Sequence, residues 1–162
     1  MKLDTRHFGE IEVDESKIIL FEEGIPGFED LKKYALFHDE SFADSTSDTD
    51  ATAVKADSVF LWLQSLEDGD IAFVLLNTFV FMPNYDPKLD DCALESLGQY
   101  HPDDLIVRNI AVIPEKLENM TVNLCAPIVI NANTNKGKQV IALNKEYHVR
   151  HRILQEVREA AI

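Results

Sequence analysis

Polar and apolar positions along this chain follow the two-residue period of strands far more than the period of helices. Residues 9–13, Gly9-Glu10-Ile11-Glu12-Val13, alternate as a half-exposed strand does, with Gly9 as a bulge or bend at its start. Short apolar runs at 18–21 and 34–37 predict two more strands. Residues 59–66 and 71–77 are nearly continuous apolar runs, as in strands at the centre of a barrel or sandwich. The acidic, Gly-bearing connection Glu67-Asp68-Gly69-Asp70 between them predicts a β-hairpin. A further strand is read at 105–113, stopped by Pro114. The run 121–131 is another, in which Pro127 demands an edge position or a break in the ladder. Residues 133–137 form a turn into a last strand at 138–143.

Helical spacing occurs twice. Leu89, Ala93, Leu94 and Leu97 mark an apolar face within 86–97. Ile153, Leu154, Val157 and Ala161 mark a short amphipathic C-terminal helix. The sum is a mostly β fold: a small antiparallel β-barrel or sandwich of about seven or more strands, with one or two short helices. One domain is expected over 1–148, interrupted by a polar, acidic surface loop at 39–58, with a short helix or tail at 149–162.

Charge narrows the function. The 162 residues carry 15 Lys and Arg against 29 Asp and Glu, a net of −14, and the imbalance is uneven. Residues 132–162 hold six bases and three acids, a net of +3. Residues 1–131 hold nine bases and 26 acids, a net of −17. Phosphate recognition needs Lys and Arg, so direct nucleic-acid contact and anionic membrane surfaces are disfavoured, while a basic protein would be drawn in. No apolar run approaches the roughly 18–20 residues of a membrane span. Met1-Lys2-Leu3-Asp4 begins no signal-peptide core, and the two cysteines, Cys92 and Cys125, suit reduced thiols. A cytoplasmic protein is expected.

Reactive constellations are not found. There is no nucleophile elbow, P-loop or dinucleotide glycine pattern. Lys136-Gly137-Lys138 reads as a hairpin turn rather than a phosphate cradle, and His148 with His151 lacks a third metal ligand. Asp44, Asp48 and Asp50 lack the central Gly and closing Glu of a calcium loop. The acidic neighbours of Cys92 would raise its thiol pKa rather than activate it. No catalytic residue, no metal and no cofactor is expected, and the chain is read as a non-enzyme.

Four segments carry a resemblance. They are Phe8-Gly9-Glu10-Ile11, then Gly24-Ile25-Pro26-Gly27-Phe28-Glu29, then Phe60-Leu61-Trp62-Leu63-Gln64-Ser65 with Ala72-Phe73-Val74. The last is Asn123-Leu124-Cys125-Ala126-Pro127-Ile128-Val129-Ile130-Asn131, leading to Gly137-Lys138-Gln139-Val140-Ile141. In this order, across roughly residues 3–154, the chain resembles the flagellar assembly factor FliW family. The resemblance implies a regulator that binds flagellin and also the RNA-binding translational repressor CsrA. By engaging CsrA non-competitively, away from its RNA-binding surface, it would relieve repression of flagellin translation. The 39–58 stretch departs from the family pattern by its length, and residues 79–85 match only in aromatic character. Alternatives are a flagellin-only chaperone, or a flavin-type binder on a small barrel, for which the body has few phosphate-holding bases.

The residues themselves suggest where a partner would sit. Phe79, Phe81, Met82 and Tyr85 crowd aromatic and soft apolar surface into a connection bearing Pro83 and Asn84, a composition suited to an interface hot spot. Asp86, Asp90, Asp91 and Glu95 follow as an acidic rim that would steer a basic partner. Core packing and plain solvated charge are the competing readings of the two groups.

Overall fold

The computed structural model describes residues 2–6, 9–38, 60–112, 115–116 and 119–152. The 39–58 loop, Phe8 and the apolar positions 153–161 of the expected C-terminal helix lie outside the described residues.

The chain opens with a hairpin of β1 (Lys2–Thr5) and β2 (Gly9–Glu12), paired antiparallel from Lys2 opposite Glu12 to Thr5 opposite Gly9. Gly9 makes the bend at φ +67. Then come β3 (Ile19–Leu20), β4 (Lys33–His38), β5 (Phe60–Ser65), β6 (Ala72–Leu76), β7 (Leu105–Val112), β8 (Thr121–Val122), β9 (Ile128–Asn131) and β10 (Lys136–Gln139). Their lateral order is β6-β5-β4-β3-β10-β9-β7-β8, and β6 also pairs with β7, so the sheet closes on itself as a barrel. Every junction is antiparallel except one: β3 and β10 run parallel, with Leu20 beside Lys136. The antiparallel expectation misses that junction because neither strand shows it locally.

Both faces of several strands are covered, which explains their unbroken apolar runs. In β4, Tyr34 and Leu36 point into the barrel with Phe21, Leu61, Leu63, Leu75, Ile128 and Ile130. The alternate residues Ala35 and Phe37 pack outward, in a cluster completed by Leu3 and Ile11 of the β1–β2 hairpin and by Trp62. In β9, Ile128 and Ile130 face inward while Val129 meets Leu94 and Leu97 outside.

Pro127 makes a break, not an edge. It separates β8 from β9, and its carbonyl still accepts the Val140 N–H at 2.9 Å. Cys125 likewise accepts from Ala142 at 2.7 Å; the strand itself spans Lys136–Gln139 rather than the expected 138–143, and these two bonds hold the chain beyond it without needing a Pro donor. The 86–97 helix is shorter than its spacing predicts: α1 spans Asp91–Leu94 and is followed by a 3-10 turn, Glu95–Leu97. Asp90 caps the helix by accepting from Cys92 N at 3.0 Å, and Gly98 ends the turn at φ +85. The apolar face is where the spacing puts it: Leu94 and Leu97 are buried, and Leu89 and Ala93 pack beside them.

The glycine-proline turn after Phe21 is rigid. Gly24 sits at φ +68 with the Glu29 backbone so close that a Cβ would lie 2.5 Å from Glu29 Cα. Ile25 is buried in the barrel, and Phe28 N donates to Ile25 O at 2.7 Å across the turn. Glu67, from the β5–β6 connection, accepts from Lys32 N at 2.6 Å and Lys33 N at 2.9 Å at the start of β4. These two donors hold its carboxyl below the usual range.

Candidate interaction surface

The segment that leaves β6 is built outward from one buried asparagine. Asn109 lies in β7, opposite Leu76 of β6, and is fully buried. Its Oδ1 accepts from Thr78 Oγ1 at 2.6 Å; its Nδ2 donates to Tyr85 OH at 3.0 Å and to Asn123 O at 2.8 Å. Tyr85 OH in turn donates to Leu124 O at 2.7 Å. Both ends of 78–85 are therefore pinned to one side chain, and the residues between must bulge away from the barrel. A 3-10 turn, Thr78–Val80, starts the bulge and leaves Phe79 39% and Val80 50% exposed. Phe81 and Met82 are half-buried against the cluster that contains Tyr85.

This divides the four residues of the expected hot spot. Phe79, Phe81 and Met82 come together at or near the surface, but Tyr85 is only 3% exposed and belongs to the core. Its composition gives no warning of this, because its partners Asn109 and Leu124 are remote in sequence. Burial pushes its hydroxyl up to about 12. Tyr85 is the middle of a row of three rings, 5.6 Å from Phe79 and 4.8 Å from Tyr147 between centroids.

The acidic residues extend from this row. Asp86, Asp90, Asp91 and Glu95 are all exposed, running along the extended arm 86–90 into α1. Asp86 is engaged by an ion pair with Lys88, and Asp90 is engaged as the helix cap. Asp91 and Glu95 keep open carboxylates on the wall of a recess of about 700 Å³, lined also by Tyr100, His101 and Asp104.

Sequence reasoning missed what holds the arm in place. Asp86 N donates to Tyr147 OH at 2.9 Å; Lys88 N donates to Asn144 Oδ1 at 2.6 Å; Asn144 Nδ2 donates to Asp86 O at 3.1 Å. Leu143 N donates to Lys88 O at 2.8 Å. A strap of the C-terminal part of the chain, residues 141–151, thus runs beside the arm. Its far end is fixed by Leu124 N to His148 O at 3.0 Å and by paired bonds between Val122 and His151. No local pattern in 141–151 signals these bonds, which depend on the barrel bringing remote segments together.

Among the described residues no group of three or more His, Cys, Asp or Glu side chains is placed to hold a metal. Rings of His148 and His151 stack 6.3 Å apart. Lys136 and Lys138 face Glu22 at 3.0 Å and Glu23 at 3.6 Å, and the buried Gly137 between them lies against the Phe21 ring, the geometry of a strand and not of a phosphate loop. Among the described residues no helix is long and apolar enough to cross a membrane.

Comparison with known proteins gives a consistent match. The family model described as FliW protein matches residues 2–153. The flagellar assembly factor FliW of Thermoanaerobacter pseudethanolicus is 41% identical over 160 residues, covering 99% of this chain and 97% of that protein. That of Alkaliphilus metalliredigens is 39% identical, covering 98% and 90%. A crystal structure of a flagellar assembly factor FliW superposes with a TM-score of 0.78 at 34% identity, over 94% of this chain and 96% of the other.

Proposed function

The chain belongs to the FliW family of flagellar assembly factors, and from that membership we propose that it works in the cytoplasm as a protein-binding regulator of flagellin synthesis. In this reading it binds flagellin and, in exchange, the RNA-binding repressor CsrA. CsrA is engaged away from its RNA-binding face, and repression of flagellin translation is thereby relieved without any catalysed reaction.

The observation that carries the reading is the surface built on Asn109. Exposed Phe79 and Val80 precede an arm that leads to the open carboxylates of Asp91 and Glu95, on a body of net charge −17 over residues 1–131. Apolar anchors beside acidic residues suit a basic protein: the anchors supply area, and the charge accelerates encounter. A strongly negative neighbour would also raise the electrostatic cost of bringing RNA phosphate to the bound repressor, which supports antagonism without direct competition.

The test is size-exclusion chromatography of the purified protein at micromolar concentration with CsrA and, separately, with flagellin from the same cell. Co-elution with each is expected; co-elution with neither removes the reading.

A further inference from the structure

We infer that the partner-binding surface is made of two segments, and that residues 141–149 of the strap are its second half. The inference rests on the reading of the protein as a partner-binding regulator. Among the described residues seven large apolar side chains are exposed: Phe28, Phe79, Val80, Val112, Ile141, Leu143 and Val149. Five of them lie on the bulge after β6 and on the strap, two stretches far apart in sequence. Ile141 is 71% and Leu143 64% exposed. They flank the buried Ala142, whose N–H is committed to Cys125 O, and both side chains stand outward.

The two stretches are joined through the arm. Leu143 N bonds to Lys88 O, Asn144 exchanges two hydrogen bonds with the backbone of Asp86 and Lys88, and Tyr147 closes the row of rings that begins at Phe79. Exposed apolar side chains gathered around a single arm mark an interaction site more strongly than scattered ones do. The arm and α1 carry exposed Asp86, Asp90, Asp91 and Glu95 against Lys88, whereas the strap carries Glu146 beside Lys145 and Arg150, so the acidic side of the surface is the arm and α1. The occupant that fits is the basic regulator of the proposed function, docking an apolar strip along Ile141 and Leu143 with its cations toward the arm. Asn144 and Tyr147 act as positioning residues: they touch the arm's backbone and hold its carboxylates in register with the strap.

The experiment compares wild type, the double variant Ile141→Ser/Leu143→Ser, and Val112→Ser as a similarly exposed control outside both segments. Affinity for purified CsrA is measured by titration, and folding by thermal unfolding. The double variant is expected to lose affinity by tenfold or more at an unchanged unfolding temperature, with Val112→Ser unaffected. A second variant, Tyr147→Phe, removes only the bond to Asp86 N. It is expected to speed hydrogen exchange at the Asp86 amide and to slow CsrA association, most visibly at low salt. A double variant that binds CsrA within twofold of wild type overturns the two-segment surface while leaving the function intact. Wild type that binds neither CsrA nor flagellin overturns both.

Discussion

Tyr85 and Asn109 hold one another in place: the asparagine Nδ2 donates to the tyrosine hydroxyl at 3.0 Å, and that hydroxyl passes its own proton to Leu124 O at 2.7 Å. Tyr85→Phe leaves the Leu124 carbonyl and one Asn109 N–H without this partner inside the core. A loss of about 1–3 kcal/mol of stability is expected, read by urea unfolding. The ring row survives, so Phe79 should stay exposed. A variant as stable as wild type would show that water replaces the hydroxyl.

Tyr85 and a second buried tyrosine, Tyr34, set the alkaline limit. Burial raises Tyr85 and Tyr34 to about 12 from an ordinary 10. Both groups are neutral in either state below pH 10, so their contribution is complete there. Between pH 10 and 12 the unfolded chain ionises first, and stability falls. Phenolate absorbance from Tyr85 and Tyr34 should therefore appear only above pH 10, together with unfolding. A single step near pH 10 in a folded protein contradicts this assignment.

Two glycines of one turn should respond differently to alanine. Gly27, at φ +90, has open space where a Cβ would go, so Gly27→Ala is expected to lose about 1–2 kcal/mol from backbone conformation alone. Gly24 has a similar φ but meets the Glu29 backbone at 2.5 Å, so Gly24→Ala must also displace the turn. Its loss should exceed that of Gly27→Ala by at least about 2 kcal/mol in the same denaturant titration.

Glu67 links the β5–β6 connection to β4 through two backbone N–H groups, which lower its pKa. Its contribution is present above the ordinary carboxylate pKa of about 4.3 and fades as pH falls through the lowered value. Glu67→Gln is expected to be less stable at pH 7 by about 0.5–1 kcal/mol, a modest figure because the group is exposed. The difference should shrink toward zero in acid. A difference that grows in acid would reverse the assignment.

Charge on the arm should act on rate. Asp90 caps α1, so the informative substitutions are Asp86→Lys and Asp91→Lys, which leave the cap intact. Association of the double variant with CsrA is expected to slow several-fold at low salt, with the gap closing as salt rises, in stopped-flow or biosensor kinetics. An unchanged rate places the contact elsewhere.

The strands were legible where a local pattern is enough. The hairpin of β5 and β6, the bend at Gly9 and the break at Pro127 follow from residue type and spacing, and the resemblance in four segments led to the family. The parallel junction of β3 with β10 was not legible, since β3 has two residues and its partner comes near the end of the chain. Helix length was overread because the apolar face of 86–97 is real while Asp90 restarts the backbone as a cap. Of the contact residues, Phe79 and the four acids are at the surface as composition suggests. Tyr85 is not, because its burial is decided by Asn109 and Leu124, which only the folded chain brings to it.

The parallel pairing of Leu20 with Lys136 also bears on how the molecule comes into being. The cylinder of strands cannot be sealed until a segment made late in synthesis returns to one made early. Until then the sheet stays open along the β3 edge, and a chain lacking β10 could not close it. The non-local pairing predicts folding on the slower, millisecond-to-second side of small domains.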